Sequence, residues 1–254
     1  MAIRSISWYT SSPRANRTIP KWPLPPCPLI STKPSRIDIR NEVKEIRVCL
    51  NKSCRKLGSR ETLELMSDLA PPEISVKSCS CLGRCGSGPN LVLLPAEEFV
   101  SHCDTPAKIA DLLAIRCGAG DAAINLEALA LRKRAQLELE KGNYSGAEEL
   151  LTQAINIEPR GGLQSIYKSR SAARYSKGNY SGALEDAQMA TKISPKCPQA
   201  YILQGDAYFG KEAYGAAENA YYTALEIDRS LRRSKPFKAR IAELQEKLAN
   251  VELD

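Results

Sequence analysis

Hydrophobic and polar positions change their period along the chain, and these changes divide it into three regions. Residues 1–43 show no period, and their closely spaced prolines prevent a regular helix. Between residues 44 and 118, short alternating runs are interleaved with helical spacing, which predicts a small α+β domain. Between residues 122 and 254, apolar residues recur at helical spacing almost without interruption, which predicts an all-α region.

The order of elements in the α+β region is strand, helix, three strands and helix. Strands are predicted over 44–50, 73–77, 91–94 and 99–102, and helices over 59–69 and 105–116. The last helix has Thr105 as its N-cap and Pro106 at its first position. This order, within about 75 residues, fits a small thioredoxin-like sandwich.

Four cysteines lie where turns follow the first two predicted strands. Cys49 and Cys54 form a C-x4-C pair, and Cys81 and Cys85 form a C-x3-C pair. Thiolates with this spacing can close on one metal centre from two neighbouring loops, and a 2Fe–2S cluster needs four of them. The same spacing also suits a tetrahedral zinc site. A third hypothesis is a dithiol protein that holds no cluster. Plant-type ferredoxin spacing is excluded, because the next cysteine after Cys54 is Cys79.

These residues resemble the thioredoxin-like 2Fe–2S ferredoxins. The resemblance spans about residues 45–118 and rests on the C-x4-C pair together with C-L-G-x-C-x-x-G-P-N. It implies that Cys49, Cys54, Cys81 and Cys85 are the ligands of a 2Fe–2S cluster, with zinc or no metal as alternatives. Cys79 departs from the pattern and is a spare thiol, a redox partner or an alternative ligand.

Basic residues lie beside or between the predicted ligands. They are Lys52, Arg55, Lys56 and Arg84. One hypothesis is that these side chains offset the charge of the cluster or dock an acidic electron-transfer partner. The alternative is that they belong to an ordinary solvated surface. Cys103 and Cys117 lie among apolar residues and are predicted to be buried small side chains.

A seven-residue segment occurs twice in the all-α region. Lys-Gly-Asn-Tyr-Ser-Gly-Ala at 141–147 recurs at 177–183, and a weaker copy follows around Tyr214. A period near 34 residues, built from helix–turn–helix units, resembles the tetratricopeptide repeat (TPR). The resemblance implies repeats over 128–161, 164–197 and 198–231, closed by a capping helix over 236–253.

TPR units stack into a concave groove lined by the first helix of each repeat. By register, the groove-facing candidates are Arg132, Gln136, Leu139, Lys168, Tyr175, Asp206 and Phe209. Some TPR proteins hold the acidic tail of large chaperones in a five-residue carboxylate clamp, whose positions correspond here to Arg132, Gln136, Ser169, Gln199 and Leu203. Only Arg132 keeps the charge, so the sequence predicts another protein partner and no binding of chaperone tails. An alternative hypothesis is that the groove-facing side chains serve only intramolecular contacts with the α+β domain.

The formal net charge of +7 comes almost entirely from the N-terminal region. Residues 1–37 hold six basic and no acidic residues, and they are rich in Ser, Thr and Pro. This composition is typical of a disordered organellar transit peptide, so we expect a chloroplast location, in the stroma or peripheral to the thylakoid, with the mitochondrion as the alternative. The alternative hypothesis is that this segment is a disordered basic tail that stays attached to the protein. The near balance of the remaining charges predicts no nucleic-acid partner, and no apolar run predicts a transmembrane segment.

The sequence favours electron transfer or protein binding over catalysis, because it shows no nucleophile–base pair, phosphate loop or paired acidic site. The leading hypothesis is a plastid protein that joins a 2Fe–2S or redox-responsive module to a TPR scaffold. Its expected role is assembly or regulation of a photosynthetic or other electron-transfer complex. Alternatives are an electron carrier docked to a specific redox enzyme and a pure interaction protein with a degenerate ferredoxin fold.

Overall fold

A computed structural model describes residues 43–251, which belong to one compact unit. The predicted transit peptide lies outside these residues, except for Val43. The strands are β1 Glu45–Cys49, β2 Ser75–Cys79, β3 Leu91–Leu94 and β4 Glu98–Val100. The helices are α1 Lys52–Lys56, α2 Ser59–Leu69, α3 Pro106–Cys117, α4 Ala122–Glu140, α5 Tyr144–Asn156, α6 Leu163–Ser176, α7 Tyr180–Ile193, α8 Pro198–Gly210, α9 Tyr214–Ile227 and α10 Lys235–Val251.

The four strands form one mixed sheet in the order β2-β1-β3-β4. Strands β1 and β2 are parallel, with Cys49 beside Cys79, whereas β3 is antiparallel to both β1 and β4. Apolar residues of β1 and β3 are fully buried against α2 and α3, with Ile46, Leu93 and Ile109 at the centre of the core. This core fixes the ends of β1 and β2, where the cysteines lie.

The helical region consists of three antiparallel hairpins of the TPR type, α4–α5, α6–α7 and α8–α9. Small residues fill the contacts within the hairpins, since Ala135, Ala147 and Ala183 are fully buried. In the repeated segment, Asn143 and Asn179 act as N-caps, because each side chain accepts a hydrogen bond from the backbone N–H three residues later.

Two elements differ from the sequence expectations. Helix α1 was not expected, because its five residues are too few to show a helical period. Strand β2 runs over Ser75–Cys79 and not 73–77, because Pro71 and Ile74 form a turn in which the Ile74 N–H donates to the Pro71 carbonyl (3.1 Å).

An ion-pair network crosses the hairpins. Arg170 donates to both carboxylate oxygens of Asp186, at 2.9 and 2.7 Å, and Asp186 is only 2% exposed. Arg174 on α6 and Lys177, which follows α6, donate to the Glu148 carboxylate on α5, at 2.8 and 2.6 Å. The network therefore joins α5, α6 and α7 across the first two repeats.

Glu148→Gln is expected to destabilise the protein at neutral pH but not in acid. Hydrogen bonding from Lys177, followed by Arg174, lowers the pKa of Glu148 below its ordinary value of 4.5. The stabilisation by the carboxylate is therefore present above pH 4.5 and is lost as the pH falls through the lowered pKa. We expect a loss of under about 1 kcal/mol in the free energy of unfolding near pH 7.

The test compares denaturant unfolding of Glu148→Gln and wild type from pH 7 down to about pH 3. Glu149→Gln is the matched control, because the neighbouring Glu149 side chain is exposed. A difference for Glu148→Gln that stays constant over this pH range would contradict the ion-pair explanation.

Helix α10 closes the end of the third hairpin, after a 3-10 turn over Arg229–Arg233. Phe237 packs edge-on against Tyr221, with ring centroids 5.7 Å apart, and Leu244 is buried. Arg240 donates to the Asp206 carboxylate at 2.7 Å. The capping helix predicted from the sequence is therefore tied to the last repeat by apolar and charged contacts.

Helix α4 belongs to two cores at once. Its N-terminal half packs Leu126 and Leu129 against the core of the sheet, whereas Ala135 packs within the first hairpin. Asn125 is buried, donates to the Ala119 carbonyl at 2.6 Å and accepts from the Gly161 N–H at 3.1 Å. The sheet domain therefore covers the open end of the first repeat. Among residues 43–251, no helix combines the length and apolar character needed to cross a membrane.

Candidate functional site

The cysteines of the sheet domain collect at one edge of the sheet. Strands β1 and β2 are parallel and end at Cys49 and Cys79, which are register partners. Because parallel strands end at the same edge of a sheet, the segments that follow them are neighbours. One of these segments is α1, which carries Cys54, and the other is the loop over residues 80–90.

Four thiols from these segments lie within interaction range of one another. The Sγ atoms of Cys81 and Cys85 are 3.6 Å apart. Cys49 interacts with both Cys54 and Cys81, and Cys54 is close enough to Cys85 to influence its ionisation. Cys49 and Cys54 are buried, whereas Cys81 and Cys85 are exposed. The structure thus brings together the four cysteines that the sequence singled out, with one buried and one exposed pair.

Two N–H donors point at the sulfur atoms. The backbone N–H of Gly83 donates to Cys81 Sγ at 3.4 Å, and the Asn90 amide donates to Cys54 Sγ at 3.5 Å. The same amide donates to the Arg84 carbonyl at 2.6 Å. Asn90 is almost fully buried, and within the described part of the chain its Oδ1 atom has no hydrogen-bond partner. Sequence reasoning missed this role, although Asn90 ends the Gly-Pro-Asn segment that marked the loop.

The loop approaches α1 closely at Gly88. A Cβ atom on Gly88 would lie 3.1 Å from Cys54 Sγ and 3.3 Å from the Cys54 Cα. A side chain at this position would require the loop or Cys54 to shift by a few tenths of an ångström. Gly88 therefore holds the loop and α1 at the spacing that the cluster of thiols needs.

The local environment changes the pKa of Cys54, Cys81 and Cys85, and the direction of the change differs among these cysteines. The Gly83 N–H, and then Cys85, lower the pKa of Cys81, whereas the hydrogen bond with Cys81 raises the pKa of Cys85. Burial, followed by the interaction with Cys49, raises the pKa of Cys54. Of Cys54, Cys81 and Cys85, the exposed Cys81 therefore most readily becomes the thiolate that metals and disulfides require.

Three further cysteines border the site or lie apart from it. Burial raises the pKa of Cys79, which lies beside Cys49. Burial also raises the pKa of Cys103 and of Cys117 to about 11, which leaves both as thiols at neutral pH. Within residues 43–251, no group of three or more His, Cys, Asp or Glu side chains has the geometry of a formed metal site.

The groove candidates on the repeats are largely engaged within the chain. Arg132 forms an ion pair with Asp68 of α2. Asp206 is buried and binds both Tyr221, whose hydroxyl donates at 2.7 Å, and Arg240. These charged side chains connect parts of the protein and leave little charge for a ligand in the groove.

The remaining candidates are apolar or weakly bonded. Leu139 packs against the first hairpin, and the rings of Tyr175 and Phe209 pack against Tyr180 and Tyr214, with centroids 5.4 and 5.5 Å apart. Gln136 is exposed and donates to Glu140 at 3.3 Å, and Lys168 Nζ lies 3.7 Å from Cys197 Sγ.

The fold defines a TPR-type helical-repeat protein with a small α/β sheet domain at its N-terminal end. No protein-family model and no curated protein matches the chain. Similar solved structures include the first TPR domain of human RPAP3, with 20% identity over 50% of this chain and 97% of that chain and a TM-score of 0.46. The Sgt2 TPR domain from Aspergillus fumigatus has 27% identity over 50% of this chain and 83% of that chain, with a TM-score of 0.47. The second TPR domain of human RPAP3, in complex with the HSP70 peptide SGPTIEEVD, has 18% identity over 48% of this chain and 98% of that chain, with a TM-score of 0.43.

These comparisons correct one expectation about partners. The prediction that the repeats do not bind chaperone tails is wrong, because similar TPR domains are bound to HSP70 and HSP90 peptides ending in EEVD. That prediction judged the groove by five side chains, Arg132, Gln136, Ser169, Gln199 and Leu203.

Proposed function

We propose that the protein is an interaction scaffold whose sheet domain holds a 2Fe–2S cluster beside the TPR array. The helical hairpins support protein binding, which is the usual role of such repeats. The role proposed for the whole chain is assembly or regulation of an electron-transfer complex. A carrier that docks to one redox enzyme is the alternative.

The observation that carries the cluster proposal is the convergence of four thiols from the β1–α1 segment and the loop over residues 80–90. Cys49, Cys54, Cys81 and Cys85 would hold the cluster, which supplies one-electron chemistry when bound. Hydrogen bonds from N–H groups to sulfur are a recognised control of cluster potential, and Gly83 and Asn90 already offer them. The strand order β2-β1-β3-β4 supports a thioredoxin-like framework for this site.

Zinc is the competing occupant, because four thiolates also satisfy its tetrahedral preference. The exposed pair, Cys81 and Cys85, favours a redox centre over a structural one, because a centre at the surface allows a redox partner to approach it closely. Cys79 lies beside Cys49 in the register and is a fifth thiol within reach of the site.

The plastid proposal rests on residues 1–37, whose six cations and lack of acids suit a transit peptide. The mitochondrion is the alternative compartment. A fluorescent fusion of the full chain distinguishes the two, and a cytosolic signal would remove the basis for a plastid role.

Anaerobic purification of the full chain tests the cluster. We expect visible absorption and about two iron and two sulfide ions per chain, as a 2Fe–2S cluster requires. Cys81→Ser should lose both the absorption and the iron. Cys197→Ser is the matched control, because Cys197 lies in the loop before α8, away from the site, and should retain the cluster.

Two other results of the metal analysis would change the proposal. Zinc without sulfide would replace the cluster by a structural zinc site. Metal-free protein that folds normally would overturn the cluster proposal and leave an interaction scaffold.

A further inference from the structure

A cationic surface borders the exposed sulfur atoms. Helix α1 and the start of α2 present four exposed cations around an open hollow of about 390 Å³. The hollow is lined by Lys52, Arg55, Lys56, Arg60 and Glu61. In the described part of the chain, none of these cations forms an ion pair. We call the four cations together with Leu57 the α1 face.

The α1 face adjoins the cysteine site. The Ser53 side chain on α1 lies within interaction range of the Cys85 thiol, so the exposed sulfur lies directly beside the helix. Leu57 is 44% exposed, and its Cδ1 atom would be 3.2 Å from a Cβ on Gly88. The surface therefore combines four cations, one exposed apolar side chain and access to Cys85.

The fold accounts for only part of this concentration of charge, because Arg55 and Lys56 lie in the last turn of α1, where a helix favours cations. Lys52 and Lys56 are four residues apart on one short helix, and Lys52 and Arg55 are three apart. Like charges at these spacings repel one another and disfavour the helix. A partner that supplies negative charge removes this repulsion when it binds.

We propose that the α1 face docks an acidic protein and places it against the Cys81–Cys85 edge. Redox proteins commonly meet through small surfaces in transient complexes, and complementary charge sets the rate of their encounter. The purpose of docking at this edge rests on the proposed cluster, whereas binding of an acidic surface does not require it.

Charge balance argues for an acidic protein and against a nucleic acid. Nucleic-acid surfaces carry cations in extended stripes that follow the phosphates. Residues 38–117 contain as many acidic as basic residues, and Glu61 lies within the hollow. A protein surface can also offer an apolar contact to the exposed Leu57 side chain, which a phosphate backbone cannot.

Charge reversal in the full chain tests the proposal. The probe is a fluorescein-labelled polyglutamate peptide, with binding followed by anisotropy at low salt. Lys52→Glu, Arg55→Glu and Lys56→Glu together should weaken binding on the order of tenfold or more, and added salt should weaken wild-type binding. The matched control reverses Arg229, Arg232 and Arg233, three cations on the 3-10 turn, and should change affinity less than about twofold.

Further measurements make each result decisive. Circular dichroism establishes that the variants are folded, and the milder Lys52→Gln, Arg55→Gln and Lys56→Gln variant should show an intermediate loss. Equal losses in the α1 variant and the control would overturn the proposal, because net charge alone would then explain binding. Tighter binding to duplex DNA or to phosphatidylglycerol vesicles, lost in the same variant, would overturn it as well. Iron content, measured in parallel, reports the cluster separately, so failure of the one proposal is distinguishable from failure of the other.

Discussion

Gly162→Ala is expected to lower the free energy of unfolding by about 4 kcal/mol. Gly162 precedes α6 with a φ of +76°, a conformation that disfavours alanine. A methyl group at this position would also overlap the carbonyl oxygen of Asp68 in α2, which is backbone and cannot rotate away. Either the loop before α6 must shift, or α2 must move off the repeats.

Gly178→Ala separates the two causes of this loss. Gly178 has a φ of +78°, but no other atom lies within 4 Å of its added Cβ, so only backbone strain of about 1 kcal/mol is expected. Denaturant unfolding followed by far-UV circular dichroism measures both variants. Equal losses would show that the contact between α2 and the second repeat contributes nothing to stability.

Asp186→Ala is expected to cost about 3 kcal/mol. The Asp186 carboxylate is buried and accepts hydrogen bonds from Arg170, while Arg174 lies 3.1 Å away. Its removal leaves two partly buried guanidinium groups without their counter-charge, which costs more than the ion pair itself contributes. The loss should appear as a lower unfolding midpoint with an unchanged denaturant slope.

Asp111→Ala is the control for Asp186→Ala. Asp111 is an exposed aspartate on α3, and its removal should change the free energy of unfolding by less than about 0.5 kcal/mol. If both variants lose the same stability, the network between α6 and α7 is not a stabilising element.

The helical repeats were the part of the fold that the sequence predicted best. The duplicated segment at 141–147 and 177–183 fixed the period of the hairpins. Helix α5 begins at Tyr144, although its first buried residue is Ala147. Apolar spacing alone cannot locate this start, because the Asn143 cap and the first turn of the helix precede the first buried residue.

The cysteine site was predictable because its ligand candidates follow strands of one sheet. Cys49 and Cys81 were assigned to neighbouring turns by their strand pattern, and the structure places them in interaction range. The Asn90 donor was not predicted, because its role depends on the path of the loop and not on local spacing.

The groove could not be judged from the repeats alone, because the partners of its side chains are distant in sequence. Arg132 pairs with Asp68, 64 residues earlier, and Asp206 pairs with Arg240, 34 residues later. Repeat register identifies the face on which a side chain lies, but it carries no information about a second domain or a capping helix that packs on that face.

Helix α4 also limits how the molecule can be divided. A cut between residues 118 and 122 follows the sequence boundary, but it would leave Leu126 and Leu129 in water, since both belong to the core of the sheet domain. Peptide-binding measurements on isolated repeats would therefore describe a different surface from that of the whole chain. Recombination that exchanges the repeat array must therefore break within α4 or supply a new apolar cover for the cysteine-bearing sheet domain.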